Sequence, residues 1–116
     1  MSPTIDDLGN ARRALAIEAR AIDALAARLG VEFVRAIEIL AACEGRVIVT
    51  GLGKSGLICR KIAATFASTG TPSFFLHASE ALHGDLGMMM RGDALLAVSN
   101  SGSTNEVLGL VAPARR

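Results

Sequence analysis

The sequence predicts an open, parallel, doubly wound α/β sheet, and three observations carry that prediction. Short apolar runs recur at residues 47–49, 73–76 and 94–98, with helical or mixed stretches between them. Strand–helix–strand order of this kind builds parallel sheets. A glycine-rich turn, GLGKSG at residues 51–56, follows the first run, and a polar loop, SNSGSTN at residues 99–105, follows the third. In such a sheet both turns lie beyond the carboxyl ends of their strands, the edge where ligands bind.

Two helices come first. Residues 4–29 read as one long helix, with Thr4 as N-cap and with Asp6 and Asp7 in the first turn, where the helix dipole favours negative charge. Leu8, Leu15, Ile22 and Leu29 recur every seven residues, Ala11 and Leu25 fill the seam, and Glu18 interrupts it. A stripe this narrow suits packing against another helix, in the core or at a subunit interface. Gly30 stops the helix. A second helix follows from Val31 to about Cys43, with Phe33, Val34, Ile37 and Leu40 on one face and Gly45 closing it. Residues 1–45 are therefore expected to form N-terminal helices that pack on the domain or on a partner subunit. Residues 46–116 are expected to form the sheet domain.

Within that domain Val47–Val49 is the first strand, Leu57–Ser68 a helix and Ser73–Leu76 the second strand. Residues 78–90 are mixed, with a short helix around Glu80 to His83. Ala94–Val98 is the third strand, and Glu106–Val111 begins a further helix before Pro113. Three parallel strands leave both outer ladders open. The sheet is expected to be incomplete, its remainder supplied by further chain or by a partner.

Bulk properties narrow the function classes. Twelve basic and eleven acidic residues leave a net charge of +1, which gives no electrostatic case for nucleic acid or an anionic membrane. The only aromatics are four Phe, too few for base-stacking platforms. Cys43 and Cys59 form no metal-ligand pattern and read as reduced thiols of a cytoplasmic protein. The start, MSPTIDDLGNARR, has no apolar segment behind a basic one, so no leader peptide is expected, and no apolar run is long enough to span a membrane.

Three ligands compete for the glycine turn. A nucleoside triphosphate loop would need its first glycine at residue 48, which is Ile48 inside the strand. A dinucleotide fingerprint matches Gly51, Gly53 and Gly56 but wants an acidic residue at the end of the next strand, where Phe74-Phe75-Leu76-His77 stands. A small phosphorylated metabolite fits better. Ser55 and the serine loop offer hydroxyls and backbone N–H groups at two helix N-termini, where orphan donors and the helix dipole converge on an anion.

The segment GLGKSGLICRKIAATFASTGTPSFFLHASEALHGDLGMM, followed by AVSNSGSTNEV, resembles the sugar isomerase (SIS) domain of the arabinose 5-phosphate isomerases. The resemblance covers residues 47–111, and loosely the N-terminal helices. It implies a flavodoxin-like three-layer α/β/α domain. It also implies interconversion of D-arabinose 5-phosphate and D-ribulose 5-phosphate, which feeds synthesis of the lipopolysaccharide sugar Kdo. By the same resemblance no cofactor is expected, and the assembly is a homo-oligomer, dimer or tetramer. Members commonly carry further strands, a second histidine from a distant segment and two CBS domains, which this sequence lacks. Ser103 stands where many relatives have an acidic residue.

Aldose–ketose isomerisation needs a base, a group to hold the developing oxyanion, and a grip on the phosphate. Lys54, His83 and Glu106 are the candidates for the chemistry, and by resemblance they match the family's functional Lys, His and Glu. Spacing does not decide which is the base. The reading adopted is Glu106 abstracting the proton, His83 assisting ring opening or proton shuttling, and Lys54 at the oxyanion. Ser55, Ser99, Ser101, Gly102 and Thr104 match phosphate-holding positions, His83 also contacts substrate, and Gly70 and Thr71 match a substrate-contacting turn. His77 matches a position that takes an inhibitory zinc ion in relatives. Three other readings remain open at this point: a non-catalytic sugar-phosphate-binding module, an inactive truncated isomerase fragment and a nicotinamide-dependent oxidoreductase.

Overall fold

A computed structural model describes residues 6–82 and 85–100 of the 116-residue chain. The chain divides into two compact units, Met1–Ile37 and Glu38–Arg116.

The first unit contains helix α1 (Asp7–Arg28) and most of α2 (Val31–Ala41). Asp6, not Thr4, caps α1, and its carboxylate accepts the Gly9 N–H at 2.8 Å. Leu29 takes an extended conformation and ends the helix, its N–H still bonded to the Leu25 carbonyl. Gly30 then turns the chain, its carbonyl accepting the N–H groups of Phe33 and Val34. The heptad stripe of Leu8, Leu15, Ile22 and Leu29, with Leu25, lies between 50% and 67% exposed.

The second unit is built on a three-stranded parallel sheet. Strand β1 (Val47–Gly51) leads into helix α3 (Gly53–Ser68), and strand β2 (Ser73–His77) follows. Helix α4 (Ala78–Leu82) and a 3-10 turn (Asp85–Met88) precede strand β3 (Ala94–Ala97). The strand order is β2-β1-β3, so the topology reverses at β1. β1 is therefore central, and all five of its residues are buried. Its register sets Gly51 beside His77 and Thr50 beside both Leu76 and Ala97.

Side-chain alternation along β1 feeds two hydrophobic layers. Val47 and Val49 pack with Cys59 and Ala63 of α3, backed by Ile62, Phe66, Phe75 and Leu96. The Arg60 guanidinium lies 4.5 Å from the Phe75 ring centre on α3's side of the sheet. Ile48 points the other way, into a cluster with Leu76 and Ala78 that Leu52, Phe74, Met89 and Leu95 complete.

Two helices of this unit start earlier than the sequence reading has them. α3 begins at Gly53 rather than Leu57, so the GKSG residues form its first turn. The reason is that only Leu52 separates strand from helix, leaving no room for a loop. The short helix after β2 starts at Ala78 rather than Glu80, because Ala78 itself is wholly buried against Ile48 and Leu76.

At the amino edge of the sheet a polar clasp joins β1 to β3. The Asp93 carboxylate accepts the backbone N–H of Arg46 at 2.7 Å and of Met90 at 2.8 Å, and the Arg46 guanidinium at 3.2 Å. The same guanidinium donates to the Met88 carbonyl and lies over the Phe74 ring. Burial alone would raise the Asp93 pKa. The amides of Arg46 and Met90 and the guanidinium outweigh it, and hold the carboxyl below its ordinary value of 3.8.

Asp93→Ala is expected to cost about 2 kcal/mol of unfolding free energy, because two amides and a guanidinium lose their acceptor. The sign of the pH dependence follows from the depressed pKa. The carboxylate's contribution is complete above its ordinary value and is lost as pH falls through the lower folded one. Urea titrations between pH 7 and pH 2 should show the variant losing less stability on acidification than the parent.

Candidate functional site

The carboxyl edge of the sheet is assembled by the passage from β1 into α3. Gly51 has no space for a side chain. A Cβ there would stand 3.0 Å from the Cys59 sulfur and 3.1 Å from the Val98 carbonyl. Gly56 is equally confined, its would-be Cβ 3.1 Å from the Gly51 carbonyl. These two glycines let α3 dock onto the end of β1. Gly53 differs: its φ of +56° favours glycine, and nothing lies within 4 Å of its missing side chain. The turn thus has a closed inner side at Gly51 and an open outer side at Gly53.

The N-terminus of α3 lies on that open side. Its N-cap position is Leu52, which offers no side-chain cap, and its first turn holds no acidic residue. The leading amides of a helix have no intrahelical acceptor, and the helix dipole adds partial positive charge there. Lys54 is exposed in this turn and Ser55 half-buried. Such an end is suited to an anion.

The third strand brings its loop to the same rim. The Val98 N–H bonds to the Thr50 carbonyl at 2.9 Å, which carries the β1–β3 pairing to the last rung before Ser99 and Asn100 depart. With order β2-β1-β3, the crevice between β1 and β3 is the topological switch point, where open α/β sheets place their ligands. His77 ends β2 beside Gly51. Its Nδ1 accepts the Ser79 N–H at 3.2 Å, and its ring meets Phe75 edge-on. A neutral imidazole held this way carries its proton on Nε2.

The structure therefore brings Lys54, Ser55, His77 and Ser99 to one edge. It does not bring Gly70 and Thr71 there. Gly70, with φ +101°, and Thr71, whose N–H bonds to the Phe66 carbonyl, close the far end of α3. The carbonyl of the next residue, Pro72, accepts the Val47 N–H at the start of β1. That turn belongs to the amino edge, a five-residue strand or roughly 16 Å away. His83, Ser101, Gly102, Thr104 and Glu106 lie outside the described residues. Among the described residues no three His, Cys, Asp or Glu side chains group to hold a metal ion.

Two of the competing ligands lose ground on this geometry. Ile48 is buried within β1, where a triphosphate loop would need to begin. β2 ends in His77 without a carboxylate for a nucleotide ribose. Cys59, which donates to the Thr50 carbonyl at 3.3 Å, has its thiol pKa raised by burial and is chemically quiet. One residue escaped the sequence reading: Thr50, wholly buried, whose hydroxyl has no hydrogen-bond partner among the described residues. Its signal is a hydroxyl at the end of the apolar run Val47-Ile48-Val49.

The SIS domain family model matches residues 40–116. The chain is 54% identical to arabinose 5-phosphate isomerase KdsD of Pseudomonas aeruginosa, over 96% of this chain and 34% of that protein. It is 53% identical to arabinose 5-phosphate isomerase GutQ of Escherichia coli K12, over 91% of this chain and 33% of that protein. It thus spans about a third of the length of the curated relatives it matches. Among solved structures it resembles an E. coli CFT073 protein in complex with arabinose 5-phosphate. The TM-score is 0.79 and the identity 40%, over 96% of this chain and 61% of the other.

Gly51→Ala is expected to cost about 2 kcal/mol, since helix and strand must separate to admit the methyl group. Gly53→Ala should cost about 1 kcal/mol, from backbone strain alone. Urea midpoints of the two variants check the order, and a Gly51→Ala protein as stable as the parent would mean that α3 is free to shift off β1.

Proposed function

Because the chain belongs to the SIS domain family, we propose that it is the sugar-phosphate-handling part of an aldose–ketose isomerase acting on D-arabinose 5-phosphate and D-ribulose 5-phosphate. The observation that carries this reading is the uncapped N-terminus of α3, with Lys54 and Ser55 in its first turn, at the β1/β3 switch point. Relatives at about half identity bear the name arabinose 5-phosphate isomerase, which supports the same substrate here.

The chemistry needs no external oxidant. In the open-chain aldose, a base removes the proton from C2, and the electron pair forms the C1–C2 double bond of an enediolate. Delivery of a proton to C1 and transfer of the O2 hydroxyl proton to O1 leave the ketose, so C1 is reduced as C2 is oxidised. Glu106 is assigned the proton transfer between the carbons, Lys54 the developing oxyanion, and His83 the opening of the sugar ring. The α3 amides, Ser55, Ser99, Ser101, Gly102 and Thr104 are assigned the phosphate. His77, with Nδ1 accepting the Ser79 amide, would have to give up that hydrogen bond and move its proton to Nδ1 before Nε2 could take an inhibitory zinc ion. The pathway served is synthesis of the lipopolysaccharide sugar, in the cytoplasm. Among the described residues no helix is long and apolar enough to cross a membrane.

The same reading implies an oligomer. Gly70 and Thr71 match a substrate-contacting turn yet lie on the amino edge of their own sheet, so a contact from them has to come from another copy. The exposed stripe of α1, Leu8, Leu15, Ile22, Leu25 and Leu29, is apolar surface of the kind that a second helix covers.

Two experiments test this. Ser101→Ala is expected to weaken arabinose 5-phosphate binding about tenfold, whereas Glu106→Gln should leave binding intact and abolish turnover. Calorimetry and a ribulose 5-phosphate assay read the two. Binding without turnover in the parent would make this a sugar-phosphate-binding module, and stabilisation by NAD in its place would point to an oxidoreductase. Second, Leu15→Arg with Ile22→Arg should convert a dimer or tetramer into monomers by light scattering. A monomeric parent would remove the oligomer.

A further inference from the structure

Thr50 is the last residue of β1 to carry a side chain before the glycine turn, and that side chain breaks a pattern. The three residues before it, Val47, Ile48 and Val49, fill the core with hydrocarbon. By alternation Thr50 shares the face of Ile48, opposite α3. Its carbonyl accepts from both Val98 and Cys59. Its hydroxyl is buried and finds no hydrogen-bond partner among the described residues.

An orphaned buried hydroxyl is costly, and a valine of the same shape would avoid the cost. A threonine here works against stability of the free protein. Its position suggests what it serves. Thr50 sits on the last β1 rung, beside the β1/β3 switch point, and its β3 neighbour Ala97 is exposed. The next residue along the strand, Gly51, already belongs to the turn at the ligand edge.

We propose that the Thr50 hydroxyl gains its missing partner only when a sugar phosphate is bound, from a sugar hydroxyl or from one water molecule held with the sugar. Thr50 is then a positioning residue at the floor of the crevice. The hydrogen bond it forms distinguishes the polyol chain from a bare phosphate, which the α3 N-terminus already accommodates. This inference rests on the sugar-phosphate reading of the edge.

The test compares Thr50→Val and Thr50→Ser with the parent, using arabinose 5-phosphate and inorganic phosphate as probes. Thr50→Val should raise the melting temperature of the free protein by a few degrees. It should also weaken arabinose 5-phosphate binding about tenfold and leave phosphate binding unchanged. Thr50→Ser, which keeps the hydroxyl, should restore the sugar-phosphate affinity. A Thr50→Val protein that is more stable and binds arabinose 5-phosphate as well as the parent overturns the inference alone. Equal weakening toward both probes also overturns it, since that reads as a distorted edge. A folded parent that binds no sugar phosphate overturns the sugar-phosphate reading, and this inference with it.

Discussion

The contact on which the rest depends is the approach of α3 to the end of β1. Backbone meets backbone at Gly51 and Gly56, with the Cys59 sulfur and the Val98 carbonyl against the same spot. No side chain larger than hydrogen fits between them. This closeness forces the chain from strand to helix through Leu52 alone, which puts an uncapped helix end at the rim of the sheet. It also brings Val98, and hence the loop after β3, to the level of Thr50. The anion site is a consequence of how tightly helix and strand are packed.

The two edges of the sheet are chemically different for this reason. At the amino edge polar groups are paired: Asp93 receives two amides and a guanidinium, and Arg46 also reaches Met88 and Phe74. At the carboxyl edge donors are left over: the leading amides of α3, exposed Lys54 and the Thr50 hydroxyl. Satisfied groups stabilise a fold, and unsatisfied groups facing a crevice are available to a ligand. The clasp at one end offsets part of what the other end costs.

How much of this was legible in the sequence depends on the range of the interaction. The strands were legible because short apolar runs bounded by glycine and polar turns declare themselves locally. The start of α3 was misjudged, since Gly53 and Leu52 carry no capping signal and tertiary packing at Gly51 decides the boundary. Asp6 displaced Thr4 as the α1 cap by a shift of two residues, the usual imprecision of helix ends. Gly70 and Thr71 lie apart from Lys54 within this chain for a topological reason. A helix that leaves the carboxyl edge must end at the amino edge, so motifs sixteen residues apart face opposite rims. The orphan state of Thr50 could not be read from a string, because it depends on what surrounds the hydroxyl on all sides.

Recognition of a phosphorylated sugar on this chain has to be local. With twelve basic and eleven acidic residues, the whole molecule has almost no field to draw a dianion from a distance. Discrimination therefore falls to groups within contact of the ligand. The α3 amides and Lys54 answer to charge and would accept any small anion. Selection of a sugar among such anions requires hydrogen-bonding groups placed beyond the phosphate, and these must be held rigidly to discriminate. A hydroxyl on the central, fully buried strand meets that requirement better than one on a loop, because its position is set by two neighbouring strands and a helix.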